Sequence, residues 1–252
     1  MRRIVHFSGG VSSWAAAKRV VQEHGVSEVT LLFADTRMED EDLYRFLVQA
    51  AGNVGAPLVV IADGRTPWQV MKDSKFIGNS RIDPCSKELK RKLLDSWVRA
   101  NCSAEDMHYI GLSWEEINRV EKFLQVFPWK ACAPLCEPPY LTKAEQLSWL
   151  NACGLKVPRL YDLGFPHNNC GGFCIKAGQS QFALLLEKFP DRYLWHEAQE
   201  EALREIVGDH SIMRDRRGGV SNPLTMRQFR ERLQAGGKAP EFDWGGCGCA
   251  IE

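Results

Sequence analysis

Short apolar runs at residues 4–7, 29–34, 58–62 and 107–112 alternate with longer stretches at about 13–23, 40–53, 67–72 and 86–99. In those longer stretches the apolar positions recur every three to four residues. The short runs are nearly continuous in Val, Ile, Leu, Phe and Ala instead of alternating with polar residues, which is how strands covered on both faces read. The stretches between them carry the 3.6-residue period of amphipathic helices. The βαβα order predicts an α/β fold whose doubly wound parallel sheet has helices on both faces.

Beyond Val126 the pattern changes. Phe127-Pro128-Trp129 and Ala133-Pro134-Leu135-Cys136-Glu137-Pro138-Pro139 make a proline-rich connection. A short helical pattern follows at about 143–152, then a Gly-, Pro- and Asn-rich stretch from 154 to 172, then a long helical pattern at about 179–207. The expected organisation is a core over residues 1–126 and a smaller, helical, cysteine-bearing region over 127–252 packed against it. No internal repeat is evident.

The chain of 252 residues is 44% hydrophobic and 25% charged, the balance of an ordinary globular protein. No apolar run is long enough to span a bilayer, and the first residues lead into a strand with no signal-peptide pattern. A cytoplasmic protein without a membrane partner is the expectation. Formal net charge is zero, so bulk electrostatics do not point to nucleic acid. Cysteine is abundant, and its odd count of nine argues for ligands or reactive thiols over a disulfide framework. Cys102 and Cys153, with no cysteine neighbours, read as small buried hydrophobes.

Candidate chemistry begins at Ser8-Gly9-Gly10-Val11-Ser12-Ser13, which links the first strand to the first helix. Glycines let the backbone approach a ligand, successive N–H groups point inward, and the helix terminus favours negative charge. The Gly-Lys-Ser/Thr ending of a Walker A loop is absent, as is the third glycine of the dinucleotide fingerprint. The hydroxyls of Ser8, Ser12 and Ser13 are further candidate donors. Asp35, closing the second strand, is placed to meet a nucleotide or metal, or to cap the next helix. Downstream, Ser86 reads as an N-cap, with Lys87 and Lys90 positioned for phosphate. His6 reads as a core histidine, whereas His167 is the better functional candidate.

Cysteines cluster in three places: Cys132 with Cys136, Cys170-Gly171-Gly172-Phe173-Cys174, and Cys247-Gly248-Cys249. Glycines between thiolates let the chain fold around a metal and donate N–H groups to sulfur. Four thiolates suit zinc or an iron–sulfur cluster. The preferred ligand set is Cys136, Cys170, Cys174 and Cys249, with a [4Fe–4S] cluster favoured over zinc by the spacing. Met213-Arg214-Asp215-Arg216-Arg217-Gly218-Gly219 offers three arginines for phosphate, or a solvated loop held by its own Asp–Arg pair.

The Ser-Gly-Gly-x-x-Ser loop resembles the pyrophosphate loop of the PP-loop ATP pyrophosphatases and PAPS (phosphoadenosine phosphosulfate) reductases. The likeness implies a Rossmann-like fold of the adenine nucleotide alpha-hydrolase type. ATP with Mg²⁺ would be held by Ser8, Gly9, Gly10, Ser12, Ser13, Asp35 and Lys87. Ser12 stands where many members carry Asp. Gly111-Leu112-Ser113-Trp114-Glu115-Glu116 resembles the family's Gly-x-Arg-x-x-Glu-Ser loop, with Ser113 in the arginine's place and Arg119 one turn on. The implied activity is cleavage of ATP at the α-phosphate and adenylation-dependent sulfur transfer to a nucleic-acid or small-molecule acceptor. Two alternatives stand beside it. One is thiol-dependent reduction of a sulfonucleotide, with Cys247 or Cys249 as the catalytic thiol; the reductase tail Glu-Cys-Gly-Leu-His is absent. The other is a non-enzymatic, metal-containing nucleotide- or nucleic-acid-binding module. A homodimer is compatible with each.

Overall fold

The computed structural model describes residues 1–79 and 82–246. Its centre is a five-stranded, all-parallel sheet: β1 (Arg3–His6), β2 (Val29–Asp35), β3 (Leu58–Ala62), β4 (Met107–Ile110) and β5 (Ala131–Cys132), in the order β3-β2-β1-β4-β5. The doubly wound α/β fold read from the sequence is the fold observed. The order reverses between β1 and β4, so the crevice past their carboxyl ends is the topological switch point. Register sets His6 level with Leu32 on one side and Ile110 on the other, which puts three strand ends around one opening.

Helix α1 (Val11–His24) follows β1, α2 (Glu41–Val54) follows β2, and α3 (Pro67–Asp73) follows β3. The three consecutive alanines of α1, Ala15, Ala16 and Ala17, are fully buried, so small side chains let this helix lie close on the sheet. Trp14 and α2's Leu43, Phe46 and Leu47 fill the same layer. The opposite face is covered by the helix over residues 84–101, through Val98 against Ile4 and Leu32. Six of its residues, Lys87–Lys92, form a π-helical segment.

Three expectations of detail need correction. β4 ends at Ile110 and not at Leu112, because the next residue, Gly111, is pressed against α1. The sheet gains a fifth strand, Ala131–Cys132, from beyond residue 126. The long helical pattern at 179–207 is two helices, Gln179–Lys188 and Pro190–Val207: proline has no N–H to continue the first and suits the first turn of the second.

The second half does not form its own sheet core. Helix Lys143–Ala152 packs on α1, with Trp149 and Trp14 ring centroids 4.9 Å apart. Helices Gln179–Lys188, Pro190–Val207 and Met226–Gln234 make a second apolar cluster around Phe182, Tyr193 and Phe229, which Trp68 and Met71 of α3 join. Buried Glu200 accepts the backbone N–H groups of Ile212 and Met226, and burial pushes its carboxyl pKa up despite those bonds. The arginine-rich segment is a small hairpin, Met213–Asp215 with Asn222–Leu224. Its Asp215 pairs with Arg217 and with Arg232 of the following helix, and no residue of the segment lines the switch-point crevice.

Candidate functional site

A cavity of about 420 Å³ opens at the switch point. Ser8, Gly10, Ser12 and Ser13 form one wall. Gly9 has a φ of +75° and lies where a Cβ would sit 3.1 Å from Leu43, so the turn needs glycine for both conformation and space. Gly10 is the N-cap of α1 in extended conformation, and no side chain caps this terminus. The first backbone N–H groups of a helix have no partner within it, so the start of α1 presents donors and the positive end of its dipole.

The loop hydroxyls are partly committed. Ser13 Oγ donates to the Gly10 carbonyl at 2.8 Å, and Ser12 Oγ to Gln146 Oε1 at 2.8 Å. Gln146 belongs to helix Lys143–Ala152, whose Thr142 cap fixes its first turn. That turn brings in Lys143, which sequence reasoning missed. Its Nζ is 3.3 Å from Ser12 Oγ and 3.4 Å from the Tyr161 hydroxyl, and it lies over the Tyr161 ring. A cation therefore stands beside Ser12.

Opposite the loop, Gly111 holds β4 against α1. A Cβ there would lie 2.5 Å from Ser13 Cα, so a side chain would displace the first turn of the helix. Past it, Glu115, Glu116 and Arg119 line the cavity, with Glu116 paired to Arg119. His167 and Asn168 close the mouth. Asn168, almost wholly buried, donates through Nδ2 to the Gly9 carbonyl at 3.0 Å, while its Oδ1 has no partner among the described residues. A buried acceptor of this kind is costly unless something fills the valence.

On the strand side, His6 Nε2 and His108 Nδ1 are 3.2 Å apart. Burial lowers His6 to about 3, with His108 adding to the effect, and burial lowers His108 to about 4. Both rings are neutral at physiological pH. His6 lines the cavity, in addition to the core role expected of it. Phe33, Leu94, Leu112 and Phe123 supply apolar surface to the same space.

Two expected nucleotide contacts lie elsewhere. Asp35 accepts from the Tyr44 hydroxyl and the Arg37 N–H, each at 2.8 Å, so it orders the β2–α2 connection and does not line the cavity. Lys87 is exposed and outside the cavity; Lys90 lines it, 3.7 Å from Glu39. The wider turn of the π-helical segment sets which of the two lysines faces inward.

The expected ligand set Cys136, Cys170, Cys174 and Cys249 is not gathered among the described residues, where no group of three His, Cys, Asp or Glu side chains is placed to hold an ion. Cys136 Sγ points to the Leu112 carbonyl at 3.8 Å, in the apolar cluster of Ile110 and Phe123. Cys170 and Cys174 are buried beside the α2 entrance, where the Cys170 N–H donates to Glu39 Oε2. Cys247 and Cys249 lie outside the described residues. Burial raises the thiol pKa of Cys85 and of Cys132 to about 11 and that of Cys136 in direction, so none of these three is an activated nucleophile.

Fold and site together define a doubly wound α/β protein with an uncapped, glycine-bearing helix start at its switch point. No family model matches the chain, and no curated protein does. Among solved structures it is similar to the phosphoadenylyl-sulfate (PAPS) reductase from Candida auris in a phosphate complex. The TM-score is 0.47 and the identity 13%, over 66% of this chain and 79% of that one. No residue role passes from that protein to this chain. No helix among the described residues is long and apolar enough to cross a membrane.

Proposed function

We propose that this chain is a PAPS reductase-like enzyme of the PP-loop kind. It binds ATP at the switch-point cavity, cleaves it at the α-phosphate and passes sulfur to an acceptor. The observation that supports the reading best is the start of α1, which offers backbone donors and a dipole to the cavity without a capping side chain. Lys143, Lys90 and Arg119 line the same space, and the neutral His6–His108 pair adds no charge. The N–H groups of the α1 start take phosphate oxygens, with Lys143 beside them. A volume of about 420 Å³ falls in the range of small-molecule sites, and the apolar wall suits a planar base.

In this reading an acceptor oxygen attacks the α-phosphorus, the bond to the bridging oxygen breaks, and pyrophosphate leaves with its electron pair. A hydrosulfide donor then attacks the adenylated carbon, forming the C–S bond as the C–O bond breaks and AMP leaves with its electron pair. Fixed donors around the phosphates stabilise the charge that develops there. Magnesium takes oxygen ligands and supplies charge neutralisation on the nucleotide phosphates. Glu115 and Glu116 are the carboxylates lining this cavity, whereas Asp35 is committed elsewhere.

The Gly10→Asp variant tests the reading. Gly10 has a φ of −101°, which any residue adopts, so the fold tolerates the change. An aspartate N-cap satisfies the helix start while repelling phosphate, so the melting temperature should hold or rise. Nucleotide binding, followed by calorimetry with ATP, should fall at least about a hundredfold, close to 2.7 kcal/mol. Wild-type protein that binds no adenine nucleotide, or a variant that binds it unchanged, refutes the proposal.

A further inference from the structure

His6 meets the cavity with one of its two ring nitrogens already spent. Its Nε2 stands 3.2 Å from His108 Nδ1, so one ring donates to the other across that contact. His108 is level with Ile4 in the parallel register, two residues before His6, so both rings project from the same face of the sheet. His6 lines the cavity, whereas His108 is wholly buried and does not. Both rings are neutral at physiological pH, because burial disfavours the imidazolium. Each carries one proton on one nitrogen, and the pair has two ways to place them.

The surroundings of His108 choose between the two. Its Nε2 is buried and has no hydrogen-bond partner among the described residues. Trp129 Nε1 is a second such atom, and the two ring centroids lie 6.2 Å apart. An indole N–H only donates. A lone pair on His108 Nε2 suits that neighbour, whereas an N–H would leave two buried donors in adjacent rings without an acceptor. Buried N–H groups left without an acceptor are rarer than under-used acceptors. The His108 proton therefore lies on Nδ1 and is donated to His6 Nε2. A neutral His6 that accepts on Nε2 carries its own proton on Nδ1. His6 is half-buried, and its Nδ1 is not one of the buried atoms without a partner, so this N–H is the end of the pair that a ligand can reach.

Charge around the cavity separates the two halves of a nucleotide. The start of α1 and Lys143 serve anionic groups. An uncharged imidazole does not, and Phe33, Leu94 and Phe123 share its space with apolar surface.

We propose that His6 presents a fixed, uncharged Nδ1–H to an acceptor atom in the nucleoside half of the bound nucleotide. His108 is the positioning residue that keeps the proton there. The assignment rests on the nucleotide reading, and it adds selectivity: a ligand without the acceptor would leave this N–H unpaired in apolar surroundings.

The test uses the full chain with ¹⁵N-labelled histidine. Long-range ¹H–¹⁵N spectra of the free wild type should show both rings protonated on Nδ1, with the His6 signals identified by their loss in His6→Asn. A His6 proton on Nε2 overturns the inference. Calorimetry of His6→Leu should show ATP affinity falling about tenfold and inorganic tripolyphosphate affinity less than about twofold. His6→Asn, whose amide N–H stands about where the imidazole Nδ1 does, should recover most of the ATP affinity. His108→Leu removes no group that lines the cavity, yet should move the His6 proton to Nε2 and weaken ATP severalfold. A proton that stays on Nδ1 in that variant overturns the part given to His108. If the variant fails to fold, the wild-type tautomer decides. Wild type that binds no ATP overturns this inference together with the nucleotide reading. ATP binding indifferent to His6→Leu, or an equal loss on tripolyphosphate, overturns this inference alone.

Discussion

Two helices leave the same edge of the sheet and begin in opposite ways. α1 starts at Gly10 with no side chain over its first N–H groups. α2 starts at Asp40, whose Oδ1 accepts the Asp42 N–H at 3.0 Å. The same carboxylate, wholly buried, takes Arg159 at 2.8 Å and Arg192 at 2.9 Å. One terminus is left without a side-chain cap, and the other is filled by the chain itself. The two arginines come from the second half of the molecule, so the closed terminus also clamps that half to the sheet. Strand-end position alone therefore does not mark a site; what matters is whether the helix's own residues have already used its N–H groups.

The closed terminus should be the costlier to break. Replacing Asp40 with Ala leaves two guanidinium groups facing a buried gap, a loss of about 3–5 kcal/mol for a broken buried pair. Denaturant unfolding measures it, and a change below about 1 kcal/mol would mean that the clamp is structurally idle. Burial raises the Asp40 carboxyl, but the Arg159 and Arg192 guanidiniums and the Asp42 N–H outweigh it and hold the pKa below the ordinary carboxylate value. With the folded pKa depressed, the contribution is present above the unfolded value near 4 and is lost as pH falls through the folded one. Wild type should thus lose stability on acidification below about pH 4 more steeply than Asp40→Ala.

Gly111 separates the two kinds of terminus from a third direction. Its missing Cβ leaves room for Ser13 Cα at 2.5 Å, so Gly111→Ala forces β4 and the start of α1 apart. Overpacking of this sort costs about 1–3 kcal/mol. The displaced element is the open helix start, so ATP binding should suffer while the Asp40 clamp stays intact. Calorimetry of the variant against its unfolding curve separates the effects. Loss of stability with full ATP affinity would uncouple α1 from the nucleotide.

Legibility followed the same division. The Ser8–Ser13 loop could be read because strand, glycine turn and helix are contiguous, and local chemistry dictates local conformation. The sheet followed from its uninterrupted apolar strands. Lys143 and Asn168 were invisible because they meet the loop from 131 and 159 residues away, with no local pattern announcing the contact. Asp35 carried two readings, a ligand contact or a local structural role, and the partner that engages it, Tyr44, sits on the following helix where no local pattern announces it. Lys87 and Lys90 differ by less than a turn, and the π-helical segment that separates their directions has no sequence mark. The cysteines showed as three clusters, but Cys136 packs with Ile110 and Phe123 while Cys170 is buried beside Glu39, a separation that spacing along the chain does not announce.

The smallest expected effect concerns Lys143, and it tests how far the open terminus relies on side chains. Its Nζ stands beside Ser12 Oγ, yet the backbone donors of α1 need no lysine to bind phosphate. Lys143→Met keeps the length of the side chain and its packing over Tyr161 while removing the charge. ATP affinity should fall about tenfold, or 1.4 kcal/mol, and depend less on salt, since one screened cation is gone. Lys143→Arg should recover part of the loss, because a guanidinium still supplies the charge. Calorimetry at low and moderate salt distinguishes the outcomes. An unchanged affinity in the methionine variant would mean that the helix start alone holds the phosphates. A loss as deep as that of Gly10→Asp would make the lysine, rather than the uncapped terminus, the main anion holder of this cavity.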